Sequence, residues 1–248
     1  MSTSDEAFFP AGGLTAAAVI AAAGRGCRLG ADQPKQWLAL GGEPLVAHSV
    51  RFFACLPRVR EILVALDPES LTDAGRVEAL RRAAGTTPLR LVAGSGARQE
   101  SVWQALRTLA ECEPQPDLVL VHDAARPFPP VEAVERSLDE AVRVGGAILA
   151  CPLIETVKRV NADLEVVETL DRSTLWTAQT PQTFRCADLI EAYRAQEGRL
   201  AEFTDDAGLF EAWGGRVRLV ESSRVNFKIT TPEDFARAER LLREAAGR

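Results

Sequence analysis

Short apolar runs and longer amphipathic runs alternate along this 248-residue chain. Residues 17–22, 62–66, 89–92, 118–121 and 147–151 are apolar-rich runs of strand length, bounded by turn-forming residues. Between them, 45–56, 70–84, 99–112 and 131–144 carry apolar residues at helical spacing; in the third, Val102, Leu106 and Leu109 recur on one face. The alternation predicts a mainly parallel sheet covered by helices on both faces. Such sheets bind ligands at the carboxyl ends of their strands.

The pattern changes after residue 151. Residues 156–170 alternate short apolar and polar positions around Asn161-Ala162-Asp163, which predicts a hairpin with a three-residue polar turn. A hairpin that interrupts an α/β alternation projects from the body as an arm, here about 154–174, and its open edges call for a partner such as a second subunit. Helical patterns follow near 187–196 and 205–213, then strand-like runs at 216–220 and 226–229. Thr231-Pro232-Glu233-Asp234 reads as a helix start, with an N-cap, a proline at the first helical position and a carboxylate in the capping-box place. Phe235, Ala238, Leu241 and Leu242 give that last helix one apolar face. The expected organisation is a flexible leader, 1–14, then one α/β domain, 15–248, Rossmann-like with a projecting β-hairpin arm.

Composition narrows the function classes. A hydrophobic content of 46% with 26% charged residues is that of a globular protein. The net charge of −6 argues against nucleic acid or a membrane surface as the main partner, so a phosphate ligand would need a local basic pocket. Cys27, Cys55, Cys112, Cys151 and Cys186 form no Cys-x-x-Cys pair, which suggests neither a zinc site nor a disulfide framework and fits a reducing, cytoplasmic setting. Asp5 and Glu6, with no basic residue before Arg25, do not make a secretion signal.

The first apolar run empties into a loop that carries chemistry. Ala22-Ala23-Gly24-Arg25-Gly26-Cys27-Arg28 is followed by Pro34-Lys35-Gln36. Glycines let backbone N–H groups approach an anion, and three nearby cations add the charge a polyphosphate needs. The spacing fits neither a Walker loop nor the dinucleotide fingerprint, whose third glycine would fall one position before Gly30. Further along, Asp123 ends the 118–121 run, in a place suited to holding Mg²⁺ on a triphosphate. It would serve equally as a helix cap or in an ion pair with Arg126, and His122 reads as structural. Residues 94–101, Gly94 to Ser101, form a second loop after a strand, suited to wrapping a base or ribose or simply to starting a helix. Lys228, between Phe227 and Ile229, would be costly to bury without an anion, though its stem could carry the charge to the surface; Arg172 has the same ambiguity.

Taken together, the segments resemble the 2-C-methyl-D-erythritol 4-phosphate cytidylyltransferase family. The matches are Ala-Ala-Gly-x-Gly-x-Arg (22–28), Pro-Lys-Gln (34–36), Val-His-Asp-Ala-Ala-Arg-Pro (121–127), Glu-Thr-Val-Lys (155–158), Asp-Arg-x-x-Leu-Trp (171–176), Thr-Pro-Gln (180–182), Thr-Asp-Asp (204–206) and Asn-Phe-Lys-Ile-Thr (226–230), in family order. The resemblance implies transfer of a cytidylyl group from Mg²⁺-bound CTP to a polyol phosphate in isoprenoid synthesis. It implies that Arg28 and Lys35 stabilise the transition state and that Arg172 and Lys228 position the attacking phosphate. Ala22, Ala23, Gly24, Gly26, Ser101 and Asp123 would hold CTP, with Asp123 also meeting metal and substrate. Arg126, Thr156, Thr180 and Thr204 would line the polyol side. The arm would build a homodimer and place Arg172 in the neighbouring site. Gly94-Ser95-Gly96-Ala97 and Ser222-Ser223-Arg224-Val225 depart from the glycine and acidic residues common there. A chain of this length is expected to lack the cyclodiphosphate synthase fused to some relatives.

Two other readings stay open from the residues. One is a cytidylyltransferase for ribitol 5-phosphate, using the same CTP machinery. The other is a non-catalytic nucleotide-binding regulator, which would have no need of Arg28, Lys35, Arg172 and Lys228 together.

Overall fold

A computed structural model describes residues 13–24 and 33–246. The fold is an α/β sandwich around a seven-stranded sheet. The elements in chain order are β1 (Ala16–Ala22), β2 (Ala39–Leu40), β3 (Glu43–Pro44), α1 (Leu45–Ala54), β4 (Val59–Leu66), α2 (Pro68–Thr72), α3 (Ala74–Ala84), β5 (Leu89–Ala93), α4 (Arg98–Ala110), β6 (Leu118–Asp123), α5 (Val131–Val144), β7 (Gly145–Pro152), β8 (Lys158–Val160), β9 (Val166–Thr169), β10 (Trp176–Arg185), α6 (Cys186–Ala195), α7 (Asp206–Trp213), β11 (Arg216–Glu221) and α8 (Pro232–Ala246). The sheet order is β11-β7-β10-β6-β1-β4-β5. Only β10 runs antiparallel to its neighbours.

β1 lies at the centre of the parallel half, paired with β4 and β6. Five of its seven residues are alanine, and helices cover it on both faces. Ala16, Ala18 and Ile20 face one core with Val50 and Phe53 of α1, Leu80 of α3 and Leu138 of α5. Ala17 and Val19 face the other, with Val102 and Leu106 of α4 and Leu189 and Tyr193 of α6. This two-sided division is what the period of two demands of a buried strand. A smaller cluster joins Leu40 and Leu45 to Ile229 and to Ala238 of α8.

The five strands and the α1, α4, α5, α6 and α7 helices fall where the pattern placed them, to within a few residues. Three local readings are corrected. The helical run 70–84 is two helices, because Asp73 ends α2 and caps α3 by accepting from the Arg76 amide at 3.0 Å. Residues 226–229 do not form a strand; their backbone bonds go to loops instead, as when the Ile229 amide donates to Ala125 O at 2.8 Å. The whole of β10 was unforeseen, since Thr-Ala-Gln-Thr-Pro-Gln-Thr is polar; its central residues from Gln179 to Phe184 are nonetheless buried between β6 and β7.

The hairpin forms as its own two-stranded sheet, and every residue of β8 and β9 is exposed. Five residues, 161–165, separate its strands, two more than the expected three-residue turn. Asn161 Oδ1 accepts from the Asp163 and Glu165 amides at 3.0 and 2.9 Å, and Leu164 takes the left-handed conformation with φ 63°. The start of α8 is the anticipated capping box: the Asp234 amide donates to Thr231 Oγ1 at 3.2 Å while Asp234 Oδ2 accepts from the Thr231 amide at 3.0 Å. Residues 1–12 of the expected leader lie outside the described residues.

At the carboxyl edge of the sheet, two loops touch where β1 and β5 end. A Cβ at Gly94 would fall 2.4 Å from the Ala23 Cβ and 3.0 Å from Ser101 Oγ, so only glycine permits the approach. Gly96, two residues on, has nothing within 4 Å. Gly94→Ala should therefore cost about 1–3 kcal/mol through overpacking, while Gly96→Ala should change stability by no more than about 0.5 kcal/mol. Urea denaturation of both variants measures the contrast.

Candidate functional site

The cleft opens at that edge. Ala22, Ala23 and Gly24 line it from the end of β1, Lys35 from the following turn, and Ser95 to Arg98 with Ser101 from the β5–α4 junction. Asp123 at the end of β6 and Lys228 from the loop before α8 complete it. Seven of the anticipated residues thus meet in one place: Ala22, Ala23, Gly24, Lys35, Ser101, Asp123 and Lys228. Gly26 and Arg28, with Arg25, fall in 25–32, outside the described residues.

Asp123 is the electrostatic centre. Its Oδ1 accepts from Arg98 Nε and its Oδ2 from Lys228 Nζ, each at 2.7 Å. Burial alone would raise its carboxyl pKa, but the Arg98 and Lys228 charges outweigh burial and hold it well below the usual carboxylate range. Arg98 reaches on to a second carboxylate, with Nη2 donating to Asp206 Oδ2 at 2.8 Å. Asp206 is fully buried and accepts a further bond from the Tyr193 hydroxyl at 2.5 Å. Burial opposes the Arg98 cation, yet Asp206 and Asp123 together keep it charged, its pKa well above the ordinary value.

Neither lysine is placed by its own segment alone. Lys35 opens a 3-10 turn whose next-but-one residue, Trp37, is buried. The Trp37 indole donates to Ser70 Oγ at 2.8 Å, and the Arg76 guanidinium lies 5.2 Å over its ring. Lys228 sits between two fixed points. Asn226 Nδ2 donates to Gln179 Oε1 and Thr180 O at 3.0 and 2.9 Å, and Ile229 is buried in the smaller core. Lys35 Nζ in turn donates to Ile229 O, on the residue after Lys228, at 3.1 Å, and both lysines line the cleft.

Behind Asp123 runs a chain of neutral hydrogen bonds. The Asp123 amide donates to Thr180 Oγ1 at 3.0 Å, Thr180 Oγ1 lies 3.1 Å from His122 Nδ1, and His122 Nε2 lies 2.9 Å from Arg126 O. A carbonyl only accepts, so His122 Nε2 carries the proton and Nδ1 accepts from the Thr180 hydroxyl. Thr180, implied on the polyol side, thus spends its hydroxyl inside the protein. Arg126 likewise does not pair with Asp123; its Nη1 donates to Asn226 O at 2.7 Å, and burial lowers its pKa. Ser101 lines the cleft but its hydroxyl donates to Ala97 O at 2.9 Å and accepts from the Ser95 amide at 3.0 Å, which shapes the loop.

Five anticipated residues do not line this cleft: Arg126 and Thr180, bonded within the protein as above, and three on the surface. Arg172 is exposed at the base of the arm and donates to Ile154 O, while Thr156 and Thr204 are exposed. Arg98, Asp206 and Tyr193 were not foreseen in the site. One signal pointed to Arg98: a cation at the first position of a helix opposes the helix dipole and calls for a compensating anion. For a metal, Asp123 is the carboxylate in reach, and no group of three or more His, Cys, Asp or Glu side chains among the described residues is arranged as a metal cage.

A doubly covered, mostly parallel sheet with two lysines and an ion-paired aspartate at its carboxyl edge defines a nucleotide-binding α/β protein of the nucleotidyltransferase kind. The chain belongs to the IspD family, 2-C-methyl-D-erythritol 4-phosphate cytidylyltransferase, whose profile matches residues 16–244. The protein of that name from Symbiobacterium thermophilum is 42% identical over 242 residues, covering 95% of this chain and 97% of its own length. The bifunctional enzyme IspD/IspF of Rhodopseudomonas palustris is 40% identical over 93% of this chain, which spans 56% of that protein's length. The solved structure of 2-C-methyl-D-erythritol 4-phosphate cytidylyltransferase from Thermus thermophilus superposes with a TM-score of 0.72 at 33% identity, covering 91% of this chain and 98% of its own. A 4-diphosphocytidyl-2C-methyl-D-erythritol synthase structure from Anaerococcus prevotii gives 0.78 at 26% identity, covering 93% and 96%.

The buried histidine makes a pH prediction. Burial pushes His122 down to about 4, so it stays neutral in the fold. The unfolded chain takes up that proton near 6.5, and stability is therefore lost as pH falls from about 6.5 toward 4. The loss should amount to about 3 kcal/mol, and His122→Asn should flatten that part of the stability–pH curve. Urea unfolding at a series of pH values checks both.

Proposed function

We propose that this protein joins CTP to 2-C-methyl-D-erythritol 4-phosphate, releasing pyrophosphate and giving 4-diphosphocytidyl-2-C-methyl-D-erythritol. The observation that carries the reading is Lys35, Asp123 and Lys228 lining one cleft at the strand ends, with Lys228 paired to Asp123, in a chain that belongs to this family.

A phosphate oxygen of the polyol phosphate attacks the α-phosphorus of CTP. One P–O bond forms, the bond to the β-phosphate oxygen breaks, and the electron pair leaves with pyrophosphate. Attacker and target are both anionic, so cations fixed before reaction lower the barrier most. Lys35 stabilises charge at the α-phosphate and leaving group, together with Arg28. Lys228 steers the attacking phosphate. The N–H groups of Ala22 to Gly24 and of the loop ahead of α4 hold the nucleotide. The donor set fits Mg²⁺ carried in on the triphosphate, with Asp123 as the one protein carboxylate and phosphate and water filling the rest of the shell. That ion would neutralise charge on the phosphates.

The arm suits a second copy of this chain. Ile154, Leu164, Val166 and Val167 are 55%, 79%, 59% and 59% exposed. Burying them against a partner would bring the arm, with Arg172 at its base, to that partner. Four free cysteines among the described residues suit a reducing, cytoplasmic setting, and no helix among those residues is long and apolar enough to cross a membrane.

Pyrophosphate release with CTP and Mg²⁺, run beside methylerythritol phosphate and ribitol phosphate, tests the reading. Turnover with methylerythritol phosphate alone is expected; turnover only with ribitol phosphate would move the protein to another pathway. Lys35→Ala and Arg28→Ala should each lower kcat by roughly 10²–10³ with little change in melting temperature. In mixed dimers of Arg172→Ala with Lys35→Ala, some activity should return, because one composite site keeps both residues. No recovery in proven mixed dimers would remove the arm from the active site.

A further inference from the structure

The two cations on Asp123 are held very differently. Arg98 spans two carboxylates with a rigid fork, Nε to Asp123 and Nη2 to Asp206. Asp206 is itself fixed by Tyr193, whose ring stacks on Trp103 with centroids 5.8 Å apart. Lys228 holds one carboxylate through a flexible stem. The two ends of the chain of charges differ most in exposure, with the Asp206 side chain at 0% and Lys228 at 39%, and Arg98 and Asp123 between them at 21% and 10%. The Asp206 end is buried and the Lys228 end lines the cleft.

A buried carboxylate left without a counter-charge is strongly disfavoured. Without a metal ion on Asp123, a Lys228 that was its sole cation could not turn to a phosphate without stranding that carboxylate. Arg98 removes the constraint, because Asp123 stays paired when Lys228 moves. We infer that Arg98, anchored by Asp206, is a positioning residue that keeps Asp123 ion-paired and thereby releases Lys228 to an incoming phosphate. The inference deepens the cytidylyltransferase reading, on which the identity of that phosphate rests; the ion-pair geometry stands apart from it.

Calorimetric titration of the full chain with inorganic phosphate, the group Lys228 is assigned to hold, without divalent metal, reads the effect. Arg98→Met should weaken binding about tenfold. Adding Asp123→Asn to Arg98→Met should recover most of that loss, because no carboxylate then retains Lys228, and the gain should exceed what Asp123→Asn gives in the native background. The recovery should vanish when Lys228→Ala is added. Arg98→Gln, which keeps a donor for Asp206 and drops the charge, should behave the same way and serves if the methionine variant does not fold. Unchanged binding in the Arg98 variants, no recovery, or a recovery that survives loss of Lys228 would overturn the role. In turnover, Arg98→Lys should retain more kcat than Arg98→Met, with the KM for CTP altered less than the KM for the polyol phosphate. A native protein inert with both polyol phosphates would remove the cytidylyltransferase reading while the binding series still decides the role of Arg98.

Discussion

A carboxylate at the end of a buried strand can stay ionised only if cations come to it, and Asp123 gathers two. Each arrives on a different part of the chain. Arg98 begins the helix after β5, and Lys228 lies in the loop ahead of the last helix. The demand of one charge therefore ties together β6, α4 and the C-terminal segment, and through Asp206 the start of α7. With Ala22 to Gly24 at the end of β1 alongside, these segments line a cleft that is already polarised before any ligand enters.

The antiparallel β10 makes this arrangement possible. Inserted between β6 and β7, it carries Thr180 against the Asp123 amide and Gln179 against Asn226. Two residues further, Gln182 Nε2 donates to Asp205 Oδ2 at 2.8 Å and its Oε1 accepts from the Ala207 amide at 2.9 Å, which sets the position of Asp206. A strand of polar residues is thus buried because its amides and hydroxyls have fixed partners on both sides. Such buried polar networks fix one geometry when every member is satisfied.

That same strand explains why part of the site was hidden from a reading of the chain. Hydrophobic periodicity finds strands that bury apolar side chains, and Thr-Ala-Gln-Thr-Pro-Gln-Thr offers little apolar signal. The opposite error occurred at 226–229, where Phe227 and Ile229 flank Lys228 as they would in a strand. There the apolar side chains fill a small core with α8 while the backbone stays irregular. Thr180 and Ser101 were legible as polar residues near the cleft, but not as residues whose hydroxyls are already bonded within the protein.

From the chain alone came the α/β alternation, the projecting hairpin, the glycine loop and the ordered motifs that mark the family. These depend on local periodicity, turn chemistry and residue identity, all of which are written along the sequence. Tertiary structure decided which charges meet. Arg98 and Asp206 stand 108 positions apart and Asp123 and Lys228 more than a hundred, so no local pattern relates them. An ion pair is defined by distance in space and by the cost of leaving a charge unpaired, and both appear only once the strands have brought their carboxyl ends to one edge.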